Sequence, residues 1–298
     1  MAFLKAPLRK LNYPRSRPGE TGQGGTKVIA EETWRRYREN WGALALAGLF
    51  AMLVSLVLMA LSRIFVVPVL VSAGLTLNGF GSGGFDALAR IAAGLGAALL
   101  LMVIAFLLVA PIGQGGLIYG VVRVMQGRPA SFGELWQAGL RNWGRLVRLN
   151  LVLILVGILL MILLLILRLI PVLGPLVWAI GTAMIMLALS GYGPYIAVSR
   201  DVGACQAAAR ALGGLRAKCV DVLLTLLVLM AATFVLGLAA SILSFIPLLG
   251  KLVPFLTQIL VSPLGLLYLA VRYERNIAGD AGPPGGSGAF YQGPPPGV

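Results

Sequence analysis

Ile170-Pro-Val-Leu-Gly-Pro-Leu-Val177 lies between two long apolar runs. It returns as Ile246-Pro-Leu-Leu-Gly-Lys-Leu-Val253 and, more faintly, as Val67-Pro-Val-Leu70. Proline has no N–H to donate and glycine lets the backbone reverse, so each copy marks a point where a helix stops and the chain turns back. Three such turns define three hairpins and predict six spans. These are Trp41–Leu61, a second beginning near Ile91, Leu149–Leu167, Leu176 to about Ser199, Val222–Phe245 and Leu252–Val271. Each is close to the ~20 apolar residues that cross a bilayer core. Ser62–Asp86 reads as an outer connection lying along the interface, Pro111 as a kink in the second span, and Gly191–Pro194 as a distortion of the fourth.

Composition agrees with this reading. Apolar residues make up 59% of the 298, charged residues only 11%, and mean hydropathy is +0.93. Soluble domains carry roughly 25% charged residues, so this chain has too few polar groups to cover a globular surface and is predicted to be an integral membrane protein. Six spans with their turns and tails leave no room for an additional large soluble domain.

The net charge of +14 suggests nucleic acid until the charges are placed. With the Pro-Gly turns on the outer side, Arg63, Arg90, Arg168 and Lys251 fall there; of the 24 Lys and Arg, that leaves 20 for the tails and the loops around Arg123–Arg148 and Arg200–Lys218. Such asymmetry is the positive-inside pattern and predicts that both termini are cytoplasmic. The basic loops then face anionic lipid, and no nucleic-acid partner is expected. Met1–Glu39 lacks the short apolar core and small-residue site of a cleaved leader, so span one is expected to remain as an anchor.

The domain plan follows. Residues 1–27 form a disordered basic tail, 28–275 the six-helix transmembrane domain, and 276–298 a disordered Gly/Pro-rich tail. Val28–Asn40 is predicted to be an amphipathic interfacial helix, with Trp34 and Tyr37 one turn apart. Ser131-Phe-Gly-Glu134 is a capping box opening a second such helix through Trp136 and Trp143. Asp201–Lys218 is predicted to be a third, cytoplasmic like the others. Span one is approached by Glu-Asn40-Trp41-Gly42 and span three by Arg-Asn142-Trp143-Gly144. Span two leaves through Gly116-Leu-Ile-Tyr119-Gly-Val-Val-Arg123, span six through Gly265-Leu-Leu-Tyr268-Leu-Ala-Val-Arg272, and span four through the looser Pro194-Tyr195-Ile-Ala-Val-Ser-Arg200. The matched order predicts three parallel hairpin repeats about one axis along the membrane normal.

Chemistry is sparse. With no histidine and only ten carboxylates, mostly single, the usual proton shuttles and metal ligands are missing. Glu31 and Glu32 adjoin among arginines and read as a solvated helix face, and Cys205 and Cys219 fall on the reducing side without a zinc pattern. No catalytic, cofactor or metal residue is assigned, and no enzymatic activity is expected. Asn150, Thr182, Thr225, Thr233, Thr257 and Gln258 are polar positions within spans and read as interhelical hydrogen bonds. Gly113, Gly116 and Gly120 give span two a small-residue packing face. The candidate site is the cytoplasmic rim, where Arg123, Arg200 and Arg272 end the three returning helices and Trp34, Trp136 and Trp143 lie at headgroup depth. Cations there complement helix C-termini in any case; around a threefold mouth they would also contact anionic lipid.

Three segments carry a resemblance: Gly127-Arg-Pro-Ala-Ser-Phe-Gly-Glu-Leu-Trp136, Pro194-Tyr195-Ile-Ala-Val with the Ala-rich helix ending Arg216-Ala-Lys218, and Leu267-Tyr268-Leu-Ala-Val-Arg272-Tyr-Glu-Arg275. Together they resemble the six-span membrane domain fused to some prokaryotic glycerophosphodiester phosphodiesterases, and its stand-alone relatives, over roughly Glu31 to Arg275. The resemblance implies a prokaryotic inner membrane and a role near lipid metabolism. It does not bring the phosphodiesterase barrel, whose catalytic histidines this chain lacks. The leading expectation is a non-catalytic scaffold or accessory subunit that contacts anionic lipid and partner proteins through its cytoplasmic helices and tails. The alternative is a small permease or lipid-handling transporter with its path along the bundle axis.

Overall fold

The computed structural model describes residues 23–75, 84–167, 173–243, 253 and 255–277. Among these the regular structure is entirely helical: α1 Gln23–Glu39, α2 Trp41–Leu75, α3 Gly84–Met125, α4 Phe132–Leu167, α5 Leu173–Met186, α6 Gly193–Ser199, α7 Ala204–Ala217, α8 Cys219–Leu243 and α9 Ser262–Arg272. Three π-helical turns, Leu187–Tyr192, Thr257–Val261 and Tyr273–Ile277, interrupt or extend them. Among the described residues five helical stretches are long and apolar enough to cross a membrane: Trp41–Leu61, Gly96–Met125, Phe132–Leu163, Val177–Ser199 and Cys219–Leu243. The chain is a helical membrane protein.

Several boundaries differ from the sequence reading. Val67–Leu70 is not a turn: α2 continues through Pro68 to Leu75. An interior proline forfeits one backbone hydrogen bond, whereas unravelling the helix in an apolar setting would strand many. Much of the expected Ser62–Asp86 connection is therefore helix, since α3 already begins at Gly84. The other two turns fall largely at residues 168–172 and 244–252, outside the described residues; α5 resumes at Leu173, with Pro175 in its first turn where a missing N–H costs least. The helix predicted from the capping box and span three are one continuous helix, α4. Helix α1 starts at Gln23, inside the expected tail, and the chain stays helical to Ile277. The rest of both predicted tails is outside the described residues.

Packing between α2 and α3 follows the glycine face. Gly116 abuts the ring of Phe50, and a Cβ at Gly120 would stand 2.7 Å from that of Ala47. Phe50 in turn meets Phe132 and Trp136 of α4 edge-on, with centroids 5.4 and 6.1 Å away. Away from these contacts the spans carry exposed Leu, Ile, Val, Phe and Met, as helices bathed in hydrocarbon must.

The two π turns within the chain share one cause. Pro194 and Pro263 each leave the carbonyl four residues earlier without its helical donor, and the wider turn absorbs the loss. Gly193 N–H donates to Ala188 O, and Ser262 N–H to Thr257 O. Near Pro263 the loosened carbonyls find partners on other helices. The Leu260 carbonyl accepts from Tyr37 Oη at 3.1 Å, and the Ile259 carbonyl seats against Gly48, where a side chain would collide with it. The distortion expected at Gly191–Pro194 is the first of these turns.

The main core gathers at one end of the bundle. Ile29 of α1, Ile118–Met125 of α3, Leu146 and Leu149 of α4, Tyr192–Val198, the alanine face of α7 and Leu267–Val271 of α9 are buried together there. This end, where α3, α6 and α9 finish, is the rim.

Candidate functional site

The rim is built from helix ends that bring cations and carboxylates together. Arg123 lies in the last turn of α3, Arg200 caps α6, and Arg272 ends α9. Each has one carboxylate partner. Arg123 Nη2 donates to Glu134 Oε1 at 2.9 Å, Arg200 Nη2 to Glu274 Oε2 at 2.6 Å, and Arg272 Nη2 to Asp221 Oδ1 at 3.4 Å.

Burial distinguishes the three. Arg272 is 1% exposed, held between Asp221 and Tyr268, whose hydroxyl accepts from Nη1 at 2.7 Å; its Nε has no partner. Asn276 also donates to Asp221, at 3.5 Å. Beneath this pair the Thr225 hydroxyl donates to the Asp221 carbonyl at 2.7 Å and accepts from Tyr192 Oη at 3.2 Å. The Glu274 carboxylate is 7% exposed and also accepts from Tyr195 Oη at 3.1 Å. Arg123 is more open. It stacks over Tyr119 with 5.7 Å to the centroid, as Arg272 does over Tyr268 at 5.9 Å. Its partner Glu134 closes the capping box, accepting from Ser131 N at 3.0 Å while Glu134 N donates to Ser131 Oγ at 3.4 Å.

Three further ion pairs lie at the rim. Glu32 of α1 accepts from Arg36 at 2.9 Å and from Arg275 at 3.2 Å, and Arg36 Nη1 also donates to the Met125 carbonyl. Arg145 of α4 pairs with Asp201, which sits at positive φ in the turn after α6. Tyr273 lies buried on Tyr192 and Tyr195, with centroids 5.8 and 5.7 Å apart, and burial raises its phenol above the ordinary 10.0.

Trp34, Trp136 and Trp143 are exposed; Trp34 stacks on Tyr37 at 5.9 Å, and Trp143 Nε1 donates to the Leu108 carbonyl at 2.6 Å. Arg35, Arg38, Arg141, Arg148, Arg210 and Arg216 are also exposed. A cavity of about 460 Å³ opens between α4 and α7, walled by Arg148, Leu151, Val152, Ala204 and Cys205. The structure thus separates two sets the sequence had grouped: the rim arginines are paired with carboxylates, while the tryptophans are exposed.

No family model matches the chain, and neither a curated protein nor a solved structure matches it.

Sequence reasoning missed the carboxylates. Glu32, expected with Glu31 on a solvated helix face, is instead largely buried between Arg36 and Arg275, and Asp221 and Glu274 were isolated charges whose pairing no local pattern marks; the partners lie up to 243 positions away. Of the polar span residues, Gln258 bonds across helices, to Ser55 at 2.7 Å, and Thr225 to Tyr192. Thr233 and Thr257 return to the carbonyl four residues back in their own helix. The buried Thr182 hydroxyl has no partner. Among the described residues no group of His, Cys, Asp and Glu assembles a metal site.

Proposed function

We propose that this chain is a non-catalytic scaffold or accessory subunit of the prokaryotic inner membrane, built from six spans in three parallel hairpins with the rim cytoplasmic. It would hold anionic lipid and partner proteins at that rim. One observation carries the reading: charge at the rim falls into two sets. The arginines at the helix ends are neutralised by carboxylates, whereas a second, exposed set shares the surface with exposed tryptophans. Exposed Arg beside Trp suits a layer of headgroups, where indole tolerates the apolar boundary and guanidinium forks onto phosphate. The lipid contacts are therefore assigned first to Arg141, Trp136 and Trp143 of α4 with Arg148, which lines the cavity, and to Trp34 with Arg35 and Arg38 of α1. Arg123, Arg200 and Arg272 support that surface from behind.

Repetition draws support from paired geometry. Asn40 and Asn142, both preceding Trp-Gly, bond back to the carbonyl four residues earlier. Tyr119/Arg123 and Tyr268/Arg272 form the same stacked pair. The sixth span would comprise the chain from Leu252 through the π turn and α9. A place near lipid metabolism rests on the resemblance of the Gly-Arg-Pro and Tyr-Glu-Arg segments alone. The transport alternative is favoured by the buried strip Tyr192, Thr225, Asp221 and Arg272, which carries polar groups inward from the rim.

Native mass spectrometry of protein released from membranes tests the lipid reading. Arg141→Gln with Arg148→Gln should lower the retained phosphatidylglycerol or cardiolipin by severalfold, while Arg123→Gln should not. Equal retention in all three proteins, each monodisperse, would refute it.

A further inference from the structure

The short segment Arg272–Ile277 reaches α1, α6 and α8 at once. Arg272 reaches Asp221 at the start of α8, Glu274 reaches Arg200 at the end of α6, Arg275 reaches Glu32 on α1, and Asn276 returns to Asp221. Successive residues can point in such different directions because Tyr273–Ile277 is a π turn, wider than an α turn and with poorer hydrogen-bond geometry. Between these polar contacts, Tyr273 covers Tyr192 and Tyr195, and Tyr192 in turn holds Thr225, which is fully buried.

We propose that this segment is an ionic latch: it clamps the rim ends of α1, α6 and α8 together, and its release opens the bundle interior to the aqueous phase at Tyr192 and Thr225. Three features favour a latch over a permanent seam. Apart from the Tyr273 ring, its contacts are charge pairs and hydroxyl hydrogen bonds, which exchange with hydrogen bonds to water on opening. Arg200 is 45% exposed, so the Arg200–Glu274 pair already borders water. The surface it covers is polar: once the segment lifts, the uncovered groups are the Tyr192 phenol, the Thr225 hydroxyl and the Asp221 carboxylate. A seam that existed only to hold helices together would gain more from apolar side chains, because burying charge carries a desolvation cost. The latch rests on these pairs alone and stands whether or not the outer belt holds lipid.

Thiol accessibility tests it. In a Cys205→Ser/Cys219→Ser background, Thr225→Cys gives one reporter beneath the latch, and a bulky membrane-impermeant maleimide applied to the purified protein in nanodiscs measures its exposure. With the latch intact, labelling should be slow. Glu274→Arg should raise its rate at least tenfold, and adding Arg200→Glu should bring the rate back to within about twofold of the parent. If Glu274→Arg fails to fold, Glu274→Gln serves, with an expected rise of about threefold. Ser131→Ala, which weakens a helix start far from the reporter, must leave the rate unchanged. Rapid labelling of the parent, no acceleration in a folded Glu274 variant, no rescue by charge exchange, or equal acceleration by Ser131→Ala would each overturn the latch.

Discussion

Asp221→Asn is the most informative single change at the rim. It leaves size and shape nearly intact but removes the charge opposite Arg272, which is 1% exposed and whose other acceptor among the described residues is the Tyr268 hydroxyl. Removing one partner of a buried pair costs about 3–5 kcal/mol, because the charge left behind is neither solvated nor paired. Asp221 is itself 21% exposed and its contact is long, at 3.4 Å, so the lower end applies: about 3 kcal/mol. At roughly 2–4 °C per kcal/mol for a chain of this size, the apparent Tm should fall by about 6–12 °C. Glu134→Gln removes a shorter pair, at 2.9 Å, but one far more exposed, at 20% and 40%, and should cost about 0.2–1 kcal/mol. The Asp221→Leu/Arg272→Met double variant should recover most of the loss, since an apolar pair of similar volume needs no desolvation. Tm is read in detergent as loss of the monodisperse species on heating. An Asp221→Asn shift no larger than that of Glu134→Gln would refute the reasoning, and so would a double variant as unstable as the sum of its single changes.

Other outcomes follow from the same geometry. Gly48→Ala drives a methyl into the Ile259 carbonyl and should destabilise by about 1–3 kcal/mol. Gly144→Ala meets nothing within 4 Å in α4 and should stabilise by about 0.5–1 kcal/mol; the opposite signs are read by the same heating assay. Ser131→Ala opens the capping box before α4 and should cost about 0.5–1 kcal/mol. Because burial raises Tyr273, its contribution is fully present below pH 10.0, the unperturbed value, and is lost as pH climbs through the higher folded value. Tyr273→Phe should therefore flatten the alkaline fall in stability, followed by Tm from pH 9 to 12.

The spans were legible because an apolar run without charge has few alternatives, and the structure begins its first candidate span at Trp41 and ends it at Leu61. The capping box and the glycine face were legible for a similar reason: each is a local pattern whose partners lie within a turn or on the adjacent helix. Pro68 misled because its signal is the same in a turn and inside a long helix; the surrounding medium decides the outcome. The rim pairs could not be read at all. A cation at a helix end looks alike whether it meets water, phosphate or a carboxylate, and Arg200 finds Glu274 only after 74 intervening steps of chain have folded.

The contacts between α1, α2 and the π turn at Thr257–Val261 also set an order of assembly. Tyr37 and Gly48 are made early in synthesis, yet the Leu260 and Ile259 carbonyls that meet them arrive about 200 residues later. Until then Glu32 lacks Arg275 and Arg200 lacks Glu274. A nascent chain halted before Thr257 would thus carry unmatched charges and an unfilled groove at the membrane surface, features by which an incomplete product differs from a finished one. Helices α1 and α2 therefore lack these partners until residues 259–275 have been made.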